Sequence, residues 1–210
     1  MAIQITELFG EYGSLAAEVV FGSIDGIFSV LGIIAAGGAA GISNVQILVT
    51  GLGGAAAGAL SVFAATYFSE TTEKKTRLMS AWEKSKKVMA RKARANSDSH
   101  SKEPTKKDHA KFHELLSLVH RRALLSGLVT SATSSLASLV LLLPFILLSQ
   151  FYSSSTAIIA GIFLLSLMGA FRGVTLKQSP AKSAIKMVVL GVIIIIASRA
   201  LGSYVLSLLG

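Results

Sequence analysis

The sequence has no cysteine, only three prolines, and charge on just 15% of its 210 residues. The missing cysteine excludes disulfides, thiolate metal sites and cysteine nucleophiles together. Soluble domains carry charge on roughly 25% of residues, so the shortage of charge argues against an ordinary water-soluble globule. Basic residues are also missing from the first third of the chain: all 20 Lys and Arg fall at or after Lys74, while all 11 Asp and Glu fall at or before Glu114. Segregation of this kind belongs to a chain that passes through different media. Residues 1 to 17 contain Glu7 and Glu11 but no Lys or Arg, so they lack the positive region of a secretory signal, and the first hydrophobic helix is expected to be retained. No Gly-rich phosphate loop, HExxH pair or nucleophile elbow occurs, which points away from an enzyme.

The chain is instead 52% hydrophobic, with a mean hydropathy of +0.64. No charge interrupts Gly26 to Ser69, nor Ala123 to Phe171. A helix crossing the hydrocarbon core uses about 20 residues, so each run holds two crossings joined by a turn. The expected fold is all-α: a polytopic membrane protein of five transmembrane helices with a short cytosolic helical segment between the second and third. Span one is expected over about Leu15 to Ala40, ending in a turn at Gly37, Gly38, Gly41, Ser43 and Asn44. Span two follows over about Val45 to Phe68. Span three covers about Leu124 to Leu148 and contains Pro144; Gln150 to Thr156 reads as the next turn. Span four is short, about Ala157 to Phe171, and span five runs from about Met187 to Leu209.

Four regions follow from this reading: an interfacial amphipathic segment over 1–14, spans one and two over 15–69, a basic helical segment over 70–122, and spans three to five over 123–210. In the first, Ile3, Ile5, Leu8, Phe9 and Tyr12 have helical apolar spacing. Residues 71 to 95 lack Gly and Pro and are rich in good helix formers; 97 to 104 are loop-like, and a second helix is expected from near Thr105 into span three. Lys and Arg near span ends set orientation. Of the 20, 15 lie between spans two and three and four more between spans four and five. Both segments are therefore expected in the cytosol, with the amino terminus inside and the carboxyl terminus on the opposite side.

Asp25 is the residue that most demands an explanation. It lies about ten residues into span one, hence ~15 Å deep at the helical rise. A carboxylate at such depth costs ~2.5 to 3.5 kcal/mol on insertion scales and marks a functional site by default. The structural alternative is a carboxyl group bonded to a neighbouring helix or paired with a cation. Glu18, two turns earlier, shares nearly the same face. Gly22 with Gly26, and Gly54 with Gly58, have the spacing that lets helix backbones approach closely in lipid, and tight packing of spans one and two is the expected use.

His109, His113 and His120 fall within about 40° on one helical face, near Asp108 and Glu114. Imidazoles four residues apart can share a metal, although exposed histidines in a Lys-rich helix also occur without one. Lys84, Lys86, Lys87, Arg91, Lys92 and Arg94 can attract anionic lipid at roughly 1 kcal/mol each near the surface. With Trp82 the only aromatic residue nearby, nucleic acid is not expected as a partner. Arg199 interrupts span five in its outer half, where its guanidinium either snorkels outward or reaches back to Asp25. Outward snorkelling is the expectation, with Ser198, Ser203 and Tyr204 as polar company.

The run from Phe21 through Asp25 and Gly26 to Gly32 and Gly37 resembles the first span of the vacuolar iron transporter family, also called the CCC1 family, with its Asp-Gly pair followed by Gly-rich apolar sequence. Ala57, Gly58, Ala59, Leu60 and Ser61 resemble its second span, Tyr67 to Ser69 that span's end, and Leu143, Pro144 and Phe145 its third span. The resemblance implies a five-span homodimer with a cytosolic amino terminus, exporting iron(II) or manganese(II) from the cytosol to a vacuole or the exterior against protons. The ion is then a transported substrate, and no tightly bound cofactor is expected.

The chain departs from the family where Gly54 stands for a Glu, Val62 for a Met and Thr66 for a Glu, and its cytosolic segment is short and basic where the family's is longer and acidic. The metal-site residues expected are Asp25, Glu18, His109 and His113, with Ser23, Ser61 and Thr66 as polar groups on the transport path and Lys84, Lys87, Arg91 and Arg94 as the lipid-binding face. A membrane scaffold, or a lipid- or partner-binding protein that kept the fold but lost the metal site, is the alternative.

Overall fold

Helices alone make up the described residues of the computed structural model, which covers the backbone of 11–95 and 106–209 and the side chains of 15–88, 112–149 and 151–208. They are α1 (Glu11–Ala39), α2 (Asn44–Ala95), α3 (Lys106–Leu147), α4 (Gln150–Thr175) and α5 (Pro180–Leu209). All five are long and apolar enough to cross a membrane. A helix meets its own backbone hydrogen bonds, as a lipid-exposed segment must, so the protein has the character of a multi-pass integral membrane protein. The interfacial segment expected over 1–14 lies outside the described residues except for its last four, which belong to α1.

Two compact units divide the chain. The first takes in α1, α2 as far as Phe63, α3 from Leu128, and all of α4 and α5. The second is Ala64–Gly127.

In the first unit α1 is the central helix. Within the apolar stretch of each helix, 44% of α1 is buried, against 11% of α5. It packs on both α4 and α5, which also pack on each other. Ile27, Val30, Leu31 and Ile34 of α1 form the core with Ile47, Leu141, Leu142, Phe145, Ala157 and Leu165. Large apolar side chains such as Phe163 and Ile196 stay exposed, as lipid-facing residues do. Because lipid is as apolar as the core, cohesion between these helices comes from close packing and interhelical hydrogen bonds.

The first interhelical turn forms where the sequence indicates. Ile42 N–H donates to Gly37 O at 3.2 Å and Gly41 N–H to Gly38 O at 3.4 Å. Gly41, at φ +67°, takes the left-handed position that closes such a helix end. Ser43 and Gln46 then cap α2 reciprocally: Ser43 N–H donates to Gln46 Oε1 at 2.9 Å, and Gln46 N–H to Ser43 Oγ at 3.4 Å.

Two expectations about span four need correction. Gln150 to Thr156 is not a turn but the start of α4, and the span is not short, since its apolar stretch runs Phe151–Thr175 over 25 residues. Of the serines read as turn residues, Ser153 is tied to a neighbouring helix. Ser153 is fully buried and its hydroxyl donates to Asn44 Oδ1 at 2.8 Å. Only Leu148 and Ser149 separate α3 from α4.

α4 ends with the same pair of backbone bonds as α1. Gln178 N–H donates to Gly173 O at 2.8 Å and Lys177 N–H to Val174 O at 3.0 Å. Here the left-handed position is held by Lys177, at φ +53°, where a Cβ costs ~1 to 2 kcal/mol. Lys177→Gly is therefore expected to raise the melting temperature of the purified protein, stabilising it by about 1 kcal/mol. A lowered melting temperature would refute the strain at this turn.

Within the second unit α2 and α3 pair antiparallel. Tyr67 Oη lies 3.3 Å from His120 Nδ1, and the Trp82 and Phe112 rings stack with centroids 5.1 Å apart. Lys86 Nζ stands 5.9 Å from the Trp82 ring centroid, a cation over an aromatic face. Glu70 pairs with Lys74, and Glu73 with Arg77 at 2.7 Å. Both pairs put the acid four residues ahead of the base, the better orientation on a helix.

Candidate functional site

The environment of Asp25 is built by glycine and serine. At Gly22 an added Cβ would collide with the carbonyl oxygen of Thr130 and the hydroxyl of Thr133, and at Gly26 with the carbonyl oxygen of Ser134. The two glycines therefore bring the α1 backbone directly against α3. This corrects the expectation that they join spans one and two. On α2, a Cβ at Gly54 would meet Ile33 of α1 at 2.7 Å, and one at Gly58 would meet nothing within 4 Å.

Close approach of α1 and α3 places hydroxyls on the carboxylate's side of α1. Ser134 Oγ donates a long hydrogen bond of 3.5 Å to Asp25 Oδ2. One turn on, Ser138 Oγ donates to Gly26 O at 3.2 Å and to Ser134 O at 2.8 Å. Asp25 itself is half-buried. A half-buried carboxylate with a hydroxyl donor is a hard oxygen ligand that also accepts a proton, and the same group can serve either role.

Ser134 and Ser138 were not among the residues singled out from the sequence. The available signal was the repeat of Ser126, Thr130, Ser134 and Ser138 at every fourth position of span three, all buried on α3. It is easily overlooked, because serine and threonine inside a membrane helix commonly bond only their own backbone. Thr133 does so, with Oγ1 donating to Val129 O at 2.9 Å.

The other expected site residues are distributed as follows. Glu18 is half-buried on α1, two turns and ~10 Å along the axis from Asp25 on the same side. Ser23, also half-buried, is two residues from Asp25 and so does not share its face. Ser61 is exposed on α2, and Thr66 is half-buried in the second unit. His113 is exposed in the second unit; His109 belongs to α3, but its side chain lies outside the described residues. Lys84 and Lys87 are exposed on α2, whereas the Arg91 and Arg94 side chains also lie outside the described residues. Among the described residues, no three His, Asp or Glu gather as metal ligands.

Arg199 takes the outward course. It lines a groove with Ile34, Ala35 and Gly38, near the end of α1, and among the described residues no ion pair joins it to Asp25. Gly32 stands opposite Ser198, and Gly202 lies against Ala36. α5 thus runs parallel to α1, and Arg199 falls about two turns beyond Asp25.

Residues 16–97 and 77–203 of the chain match the sequence model of the VIT family. No curated protein matches it.

Proposed function

The chain belongs to the VIT family, and from that premise we propose that it exports iron(II) or manganese(II) from the cytosol in exchange for protons. Members of this family are membrane metal-ion transporters and not enzymes, which fits the want of any catalytic constellation in the sequence. The observation that carries the finer reading is Asp25, a carboxylate in the most buried membrane helix with the Ser134 hydroxyl beside it. Hard divalent cations prefer oxygen ligands. A carboxylate that gives up its metal on one side and takes up a proton for the return couples the two fluxes in opposite directions.

One carboxylate is a thin site for a divalent ion, and a homodimer supplies two. The face of α2 around Gly53 and Gly58 supports such pairing, since a Cβ at either would meet nothing within 4 Å. Glu18, on the side of α1 shared with Asp25, is assigned to the mouth of the path, with His109 and His113 as candidate capture ligands; Ser23, on another face of α1, is left out of the Asp25 ligand set. The basic stretch of α2, including exposed Lys84 and Lys87 together with Arg91 and Arg94, engages anionic lipid.

A second reading, a scaffold that kept the fold without moving metal, is favoured by Gly54, Val62 and Thr66 at positions where the family carries ligands. Uptake by purified protein in sealed vesicles separates the two. Transport predicts manganese(II) or iron(II) entry that grows with an imposed pH gradient and stops when a protonophore collapses it. Absence of metal flux through folded, vesicle-inserted protein would overturn metal transport, leaving the scaffold or the transport of another solute.

A further inference from the structure

We propose that the groove around Arg199 is a binding site for the phosphodiester headgroup of a membrane phospholipid. The groove encloses about 490 Å³ and is lined by Ile34, Ala35 and Gly38 of α1, Phe151, Ser154, Ser155 and Ile158 of α4, and Arg199 of α5. It lies at the end of the first unit that carries the α1–α2 and α3–α4 turns, away from the loop of Lys177, Lys182 and Lys186. With Ser198 beside Gly32, Arg199 sits there about one to two helical turns short of Ala39, the end of α1.

Charge balance identifies the ligand. A guanidinium inside a membrane span needs a counter-charge or a route to water. No acidic side chain lies at this end: every Asp and Glu falls at or before Glu114, and none lies in the α1–α2 turn, the α3–α4 turn or α5. The first turn of α4, which faces the groove, is also without an acidic residue. A counter-charge for the exposed guanidinium therefore comes from outside the chain's own side chains, and every phospholipid carries one in its headgroup phosphate. Arg is suited to it, since its planar fork bonds phosphate oxygens in pairs. The Ser154 and Ser155 hydroxyls can donate to the remaining oxygens, while Ile34, Ile158 and Phe151 give the upper acyl chain an apolar wall.

The second groove, about 240 Å³ at the opposite end of the first unit, also holds one arginine, Arg172, among apolar residues. Cations at that end are ordinary, because the adjoining loop is basic. Arg199 runs against the charge pattern, and the site does not depend on whether the protein moves metal.

The test counts lipids on the purified protein by native mass spectrometry in a neutral detergent, with phosphatidylglycerol and with diacylglycerol, which lacks the phosphate. Wild-type protein is expected to retain one more phosphatidylglycerol per protomer than Arg199→Gln, and to bind it roughly tenfold or more tightly, the scale of a charge-assisted hydrogen bond. Diacylglycerol should not distinguish the two proteins. Arg199→Gln removes a charge from a membrane helix and so does not hinder insertion. Ser154→Leu, which fills the groove and keeps the arginine, is expected to lose the same lipid. Equal lipid number and affinity in wild type and Arg199→Gln would overturn the proposal. So would inorganic phosphate that alone reproduces the full thermal stabilisation seen with lipid, since the site would then belong to a soluble anion.

Discussion

Asp25→Asn is expected to reduce proton-coupled metal flux to the background of protein-free vesicles while leaving expression and membrane insertion intact. The substitution keeps the shape of the side chain and an oxygen near Ser134, but removes the negative charge that binds metal and the group that takes up the proton. It also lowers the cost of holding the position in hydrocarbon, which on insertion scales is ~2.5 to 3.5 kcal/mol for the carboxylate. Loss of transport therefore cannot be ascribed to failed insertion. Ser134→Ala serves as the graded companion: it removes one hydrogen bond, worth ~0.5 to 1.5 kcal/mol, and should weaken metal affinity without abolishing flux. Wild-type flux in Asp25→Asn would remove the residue from the mechanism.

The largest structural effect is expected at Gly26. A methyl group there would overlap the carbonyl oxygen of Ser134 and crowd its Cα. The obstruction is helix backbone and cannot rotate aside, so α1 and α3 must separate. That movement also stretches the bonds from Ser138 to Gly26 O and from Ser134 to Asp25. Gly26→Ala should destabilise the protein by ~1 to 3 kcal/mol, the usual range for overpacking, and Gly22→Ala should behave similarly against Thr130. Gly32→Ala on the same helix is the control. Its added carbon would meet Ser198 Oγ at 3.4 Å, an ordinary contact, and alanine gains up to ~1 kcal/mol in helix propensity. Thermal unfolding in detergent should thus give opposite signs for one substitution at two sites of one helix; equal shifts at Gly26 and Gly32 would remove the close approach as their cause.

Much of the architecture was legible because the membrane leaves few choices. Two uncharged runs, each too long for one crossing, required four spans, and the α1–α2 turn was readable from Gly41 and Ser43. The start of α4 was not. Ser153, Ser154 and Ser155 have turn chemistry locally, and the bond from Ser153 to Asn44, residues 109 apart, is invisible to local reading. The same reason hid the partner of Gly22 and Gly26. Spacing announces that some backbone comes close, but which one is decided by the shape of the opposite surface, here the serines and threonines of α3. Asp25 was visible because an acid in hydrocarbon is rare, whereas Ser134 was one hydroxyl among many.

The bond between Ser134 and Asp25 joins residues 109 apart in sequence, and this separation bears on how the protein is made. Chains grow at ~5 to 20 residues per second. The first membrane helix accordingly waits ~5 to 20 seconds before the serine that donates to its carboxylate has been synthesised. During that interval Asp25 must be tolerated by lipid, by water at the insertion machinery, or as the protonated acid. The helix that ends as the best-buried element of its unit thus carries an acid whose hydrogen-bond donor is made late. A chain interrupted after α2 would hold its first span with neither the Ser134 hydroxyl nor the later helices that pack on it.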